Sequence, residues 1–323
     1  MITMNYRKAI AEAIARAMRR DPRVVFLGED VGKPGGAFKT TVGLRDEFGP
    51  NRVWDTPISE QAIIGAAIGA AMRGLRPIAE IMFADFLGTC WDGIANHAAK
   101  LRYMSNGQVS VPIVIRTHGG AGLGFAAQHS QLFDNLAMSI PGLKVVVPSN
   151  PADLIGLFQA AVDDPDPVLF IEHKALFDVK GEVDEDPFSV PLGSAATVRQ
   201  GEDLTLVATG AMVPVCVQAA ERLSEQKVSA EVIDLRCLTP LDMSTILTSI
   251  AKTSRIVIVQ EGPATCGWGS EVAARTADVG FNSLDAPVRR VTSPPTPTPF
   301  AANLEKLWVP TVERVVAEAM SFW

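Results

Sequence analysis

A chain of 323 residues, 47% apolar and 20% charged, has material for two buried cores at the usual roughly 100–200 residues per domain, and it excludes extended disorder. The net charge of −7, with no basic run longer than Arg19-Arg20 or Arg289-Arg290, removes any electrostatic reason to expect nucleic acid or an anionic membrane as a partner. Ala62 to Met72, the longest apolar run, is too short and too glycine-rich to span a bilayer.

Apolar periodicity predicts a helix over about Asn5–Arg20, with Ile10, Ile14 and Met18 on one stripe. Strands are predicted at Val24–Leu27, Arg52–Trp54, Ile78–Met82, Pro112–Arg116, Lys144–Val147 and Val168–Ile171, with helices at Gln61–Met72, Phe86–Met104 and Ala152–Val162 between them. The runs near Ile78, Ile113 and Val145 are continuously apolar, as strands buried on both faces are. The alternation lapses around Asp184-Glu185-Asp186-Pro187 and Gly201, which reads as an acidic linker. A second cycle follows: strand Leu204–Ala208, helix Val213–Ser224, strand Ser229–Ile233, helix Leu241–Ala251, strand Ile256–Val259, a helix near Glu271–Val279 and a strand near Val288–Val291. Pro294, Pro295, Pro297 and Pro299 forbid regular structure, and a closing helix is expected over about Pro310–Met320. The fold class is α/β with two doubly wound domains: residues 1–180, a linker at 181–200, and residues 201–323.

Cys90, Cys216, Cys237 and Cys266 lie far apart and fit no metal or redox spacing, so they read as free thiols of a reducing compartment. Arg7, Lys8 and Glu12 interrupt a secretion-type N-terminus, and the expected location is cytoplasmic. The cluster Gly119-Gly120-Ala121-Gly122-Leu123-Gly124 does not satisfy G-x-G-x-x-G, and phosphate-loop, zinc-helix and nucleophile-elbow motifs are absent. What stands out is Asp55-Thr56-Pro57-Ile58-Ser59-Glu60, a strand-to-helix corner of the kind where open α/β sheets bind ligands. Glu60 opens a helix whose dipole favours an acid there. Alone it reads as an ordinary first-turn residue, and Gly65 and Gly69 as a close-packing face.

Together Glu60, Gly65, Ala66, Gly69 and Ala70 resemble the pyrimidine-binding domain of thiamine diphosphate enzymes. Further blocks, among them Gly28-Glu29-Asp30-Val31, Gly74-Leu75-Arg76-Pro77, Asp85-Phe86, Ala127-Gln128-His129-Ser130 and Leu284-Asp285-Ala286-Pro287-Val288, extend the resemblance over nearly the whole chain. They match the beta subunits of the decarboxylating components of 2-oxo acid dehydrogenase complexes. The resemblance implies a pyrimidine-binding domain followed by a transketolase C-terminal-like domain. It also implies thiamine diphosphate as cofactor, held at a pyrimidine nitrogen by Glu60. A carboxyl group sharing a proton there favours the imino tautomer whose nitrogen generates the reactive ylid.

By the same resemblance Phe86 packs on the pyrimidine, His129 approaches the substrate or a lipoyl group, and Glu29 belongs to a proton relay between paired sites. Without it Phe86 reads as a core aromatic, His129 as a structural histidine and Glu29 as a solvated loop acid. His97, His118 and His173 read as structural or unassigned. A structural potassium ion is implied at Ile113, Ala161, Val162, Asp164 and Asp166, although some relatives place Asn where this chain has Asp166.

The G-D-G motif that holds diphosphate and magnesium in such enzymes is absent. The resemblance therefore implies an alpha subunit carrying that motif and the Mg2+, in a heterotetramer, with a lipoyl acyltransferase core as further partner. Local strings around Glu80–Cys90 and Arg116–Gly122 are most similar to acetoin dehydrogenase beta subunits, with pyruvate dehydrogenase nearly as similar and branched-chain oxo acids third. A non-catalytic assembly subunit and one half of a split transketolase are the alternatives.

Overall fold

Asn5 ends a short strand, β1 (Ile2–Asn5), and caps helix α1 (Tyr6–Arg20), its side chain accepting the Lys8 N–H at 2.9 Å. The buried stripe of α1, including Tyr6, Ile10, Ile14 and Met18, packs on a later helix, α6 (Pro151–Asp163). That helix starts in the same way, with Asn150 accepting the Asp153 N–H and Pro151 in its first turn. Between them the computed structural model runs through β2 (Val24–Gly28), α2 (Leu44–Phe48), β3 (Val53–Asp55), α3 (Glu60–Met72), β4 (Arg76–Ile81), α4 (Leu101–Met104), β5 (Val114–Gly119), α5 (Asp134–Met138) and β6 (Lys144–Val146). Strands β7 (Val168–His173) and β8 (Lys180–Val183) follow α6. The structure describes residues 1–186 and 188–323.

The chain divides into two units, Met1–Gly119 with Leu132–Leu192, and Gly120–Gln131 with Gly193–Trp323. In the first unit the strands lie in the order β6-β7-β5-β4-β2-β3 and every neighbouring pair is parallel. β2 and β7 are buried along their whole length, β2 as an unbroken apolar run and β7 with Glu172 and His173 after its four apolar residues. β1 and β8 form a separate antiparallel ribbon.

The second unit contains β9 (Ala196–Arg199), β10 (Leu204–Ala208), α7 (Met212–Glu225), β11 (Ala230–Asp234), β12 (Cys237–Thr239), α8 (Met243–Thr253), β13 (Ile256–Pro263), α9 (Trp268–Val279), β14 (Arg289–Ser293), α10 (Ala302–Trp308) and α11 (Val312–Met320). Its sheet runs β14-β13-β10-β11-β9, parallel except for β9 at the edge. Helix α7 pairs with α11 and α8 with α9 against these strands.

Three details differ from the expected elements. The helix expected over Phe86–Met104 is broken into a 3-10 turn (Ala84–Thr89), a π turn (Gly93–Ala98) and the short α4. Gly88 and Gly93 weaken a helix there, and the Thr89 hydroxyl donates to the Phe86 carbonyl at 2.8 Å. Residues 181–200, expected as linker, hold most of β8 and all of β9; Pro187 lies outside the described residues. The segment 120–131, placed by sequence in the first domain, groups with the second unit. Among the described residues no helix is long and apolar enough to cross a membrane. Cys90, Cys216 and Cys237 are buried, Cys266 is exposed, and none of the four is in a disulfide among the described residues.

Two glycines test how closely these elements are fitted. Gly142 has φ +91°, and a Cβ there would run into the Ala99 carbonyl oxygen, whereas a Cβ on Gly65 would meet nothing within 4 Å. In urea unfolding of the isolated chain, Gly142→Ala should lose at least about 2 kcal/mol. Gly65→Ala, inside α3, should gain about 0.5–1 kcal/mol. Equal effects at both positions would contradict this packing.

Candidate active site at the strand ends of the first unit

Glu60 stands at the first position of α3, reached from β3 through Thr56–Ser59. The turn is held close to the end of β2, because Thr56 N–H donates to the Gly28 carbonyl at 2.9 Å. Ser59 makes no side-chain cap, so Glu60 is the acid that meets the helix start, and it is half-buried. Among the described residues it makes no ion pair.

Glu29 follows β2 directly and is only 6% exposed. Burial, then the charges of Glu60, Asp30 and Glu80, push its carboxyl above the ordinary glutamate value. Its Oε1 and the Thr56 hydroxyl are buried without a partner among the described residues. Two acids in electrostatic contact, with Glu29 Oε1 and Thr56 Oγ1 buried and unpartnered, make a polar edge suited to a ligand bearing hydrogen-bond groups.

Behind this edge lies a charged network that the sequence reading missed. Glu80 on β4, Arg116 and His118 on β5, and Glu172 on β7 are all fully buried. Glu80 stands opposite Arg116 and His118 opposite Glu172, so the pleat turns all four side chains to one face of the sheet. Arg116 grips Glu172 with two bonds, 2.8 Å from Nε and 2.6 Å from Nη2, and its Nη1 donates to Glu80. His118 Nδ1 sits 3.1 Å from the same Glu172 carboxylate, and its Nε2 is 3.7 Å from Glu80.

Burial alone would lower the Arg116 value and raise that of Glu172. Their mutual attraction, with Glu80 helping the arginine and His118 the acid, reverses both, holding the guanidinium above and the carboxyl below its usual range. In sequence these appear as single charges inside apolar strand runs. The one usable signal is that a charge in a strand buried on both faces requires a partner on the neighbouring strand.

Phe86 lies in the 3-10 turn packed against α3, half-buried and edge-on to Phe83, with centroids 5.6 Å apart. The neighbouring Cys90 thiol is pushed up to about 12 by burial and then by the Glu60 charge, which places Glu60 in electrostatic reach of this turn. Phe38 and Phe177 stand edge-on to His118 at 5.3 and 5.6 Å. Glu60, Glu29 and the turn bearing Phe86 are thus brought together in one unit, and the half-buried His129 belongs to the segment counted with the other.

An aminopyrimidine fits the Glu60–Glu29 edge, since it offers ring nitrogens and an amine to acids and orphaned oxygens, and a face to Phe86. Among the described residues no group of three or more His, Cys, Asp or Glu could hold a metal ion. At the positions named for potassium, several oxygens already meet basic side chains. Arg76 Nη1 lies 2.5 Å from the Val162 carbonyl and 3.4 Å from that of Asp164, Lys144 caps the Asp164 carboxylate at 2.6 Å, and Arg102 pairs with Asp166 at 2.9 Å. The Ile113 carbonyl accepts the Val168 N–H.

Residues 2–179 match the family model of the transketolase pyrimidine binding domain, and residues 193–315 that of the transketolase C-terminal domain. The chain is 49% identical to the beta subunit of acetoin:2,6-dichlorophenolindophenol oxidoreductase from Bacillus subtilis, covering 96% of this chain and 94% of that one. It is 45% identical to the 2-oxoisovalerate dehydrogenase subunit beta of the same organism, covering 98% of each. With the mitochondrial pyruvate dehydrogenase E1 component subunit beta-1 of Arabidopsis thaliana it shares 45% identity over 97% of this chain and 87% of the relative. Among solved structures, a split-gene transketolase described as an inactive beta4 tetramer superposes with a TM-score of 0.81 at 25% identity, covering 98% and 97% of the two chains. With parallel α/β sheets matching both domain models and near-full-length identity of 45–49%, the chain belongs to the transketolase-like beta-subunit family of thiamine-diphosphate-dependent 2-oxo acid and acetoin dehydrogenases.

Proposed function

We propose that this chain supplies the pyrimidine half of a thiamine diphosphate site acting on acetoin, with pyruvate as the second substrate class, and that the acyl product passes to a lipoyl acyltransferase core. The observation that carries the reading is Glu60 at the start of α3, in electrostatic contact with Glu29 and beside orphaned buried oxygens. The 49% identity to an acetoin oxidoreductase subunit, against 45% for the pyruvate and 2-oxoisovalerate relatives, favours acetoin.

When bound, thiamine diphosphate supplies a nucleophilic carbon that attacks the substrate carbonyl. Glu60 holds a proton at a pyrimidine ring nitrogen, and Phe86 fixes the plane of that ring. Glu29, buried and repelled by neighbouring acids, holds a proton more tightly than an ordinary glutamate and acts as a relay toward Glu60. His129 meets the substrate or the lipoyl group from the loop after β5. An alpha subunit supplies the diphosphate and Mg2+ ligands this chain lacks, in a cytoplasmic heterotetramer. The split-transketolase reading draws on the shared fold, at 25% identity, and predicts two-carbon sugar transfer with no lipoyl partner.

Calorimetric titration with magnesium thiamine diphosphate tests the split site. Binding is expected in the complex with the alpha subunit and not in the isolated chain. Glu60→Gln should still assemble while cutting turnover roughly 100-fold or more. Unchanged turnover in Glu60→Gln would remove the catalytic assignment, and tight binding to the isolated chain would remove the half-site.

The relay assignment has a pH signature. A raised carboxyl value in the folded chain means that the preference for the proton stabilises the fold fully below the ordinary value of 4.5, and is lost as pH rises through the folded value. Glu29→Gln should therefore melt increasingly above wild type as pH climbs from 4.5 to neutrality. A constant difference across that window would show an ordinary Glu29.

A further inference from the structure

The glycine cluster after β5 has no nucleotide to hold, yet its backbone is built as an anion nest. Gly120, Gly122 and Gly124 have φ of +91°, +101° and +71°, conformations that turn successive N–H groups to one side. The acceptors are two carboxylates of the same unit. Ala121 N–H donates to Glu261 Oε1 at 2.7 Å. Gly122 N–H reaches Glu305 Oε1 at 2.8 Å, and Gly124 N–H lies 3.0 Å from Oε2 and 3.2 Å from Oε1.

Glu261, on β13, and Glu305, on α10, are 5% and 4% exposed, so these charges have left water to make the bonds. Hydrogen bonds from backbone N–H to an ionised carboxylate are about twice as strong as neutral ones. A loop of this composition left to water would be mobile. Here three of its N–H groups are fixed to rigid elements, five residues before His129.

We infer that Glu305, seconded by Glu261, is a positioning residue that fixes the loop carrying His129. A neutral isostere at Glu305 keeps one acceptor oxygen but points an amide N–H₂ at the Gly124 donor, so Gly124 loses the shorter of its two contacts and meets a like donor instead. The inference rests on the reading of His129 given above, and its test separates the two.

The enzyme assembled with its alpha subunit is assayed by acetoin-dependent reduction of 2,6-dichlorophenolindophenol, in His129→Ala, Glu305→Gln and the double variant, with thermal melting of each complex. His129→Ala is expected to lower kcat roughly 100-fold. Glu305→Gln should lower kcat roughly 10-fold with KM and the melting midpoint little changed, and should add less than about twofold in the His129→Ala background. Full multiplicativity of the two substitutions, or a silent Glu305→Gln beside a damaging His129→Ala, overturns the positioning role and leaves the His129 reading standing. A silent His129→Ala overturns both. If Glu305→Gln does not assemble, Glu261→Gln, which leaves Glu305 in place, must show the same non-additivity with His129→Ala or the proposal falls.

Discussion

Arg116 ties three adjacent strands together from the middle of a largely apolar sheet, and the acid edge of the site depends on it. Burying an ion costs several kcal/mol even after relaxation, and the cost is offset only by near-ideal geometry. Arg116 has that geometry: a two-point grip on Glu172, a bond to Glu80 and Thr40 Oγ1 at 3.4 Å. Removing one member of such a cluster typically costs about 3–5 kcal/mol, because the survivors keep their charge without water. The network is therefore a poor way to gain stability and a good way to fix position. It fixes Glu80, the charge of Glu80 helps to raise Glu29, and Glu29 faces the charge of Glu60.

The outer acids are treated differently. Glu80 and Glu172 are ion-paired with Arg116, while Glu60 and Glu29 make no ion pair among the described residues. A sequence optimised for stability would have paired them or made them apolar. Acids without an ion pair beside ion-paired ones are the positions at which a ligand would find charge free to meet it. The missing diphosphate motif is consistent with this arrangement: under the proposed function the chain would bring the acids and a partner subunit the phosphate and metal ligands.

The fold was legible wherever one period dominated. The buried runs at Val24, Ile78, Val145 and Leu204 became strands, and the capped stripe after Asn5 became a helix within a residue of its expected bounds. What escaped was set by local competition or by distance. The ribbon of β1 and β8 is short and largely exposed, so its alternation carries little signal. Helix α10 hides after a proline-crowded stretch that promised none. Glu60 and Phe86 were visible only through a family pattern, since either alone reads as ordinary. The Glu80–Arg116–Glu172 contacts were invisible for another reason: register between strands 36 and 56 residues apart is not written in any one segment.

The glycine cluster shows the same limit in the opposite direction. Its spacing fails as a nucleotide fingerprint, yet glycines in left-handed conformations do there what they do around phosphates, aiming N–H groups at an anion. The anions are carboxylates 140 and more than 180 residues later in the chain. A motif search asks whether a loop can hold a ligand; it cannot see that the loop is already held. Because the nest is filled by Glu261 and Glu305, the segment between Gly120 and Gln131 belongs structurally to the second unit although it emerges from a strand of the first. Within the second unit, β13 and α10 thereby hold directly the start of the loop that bears His129.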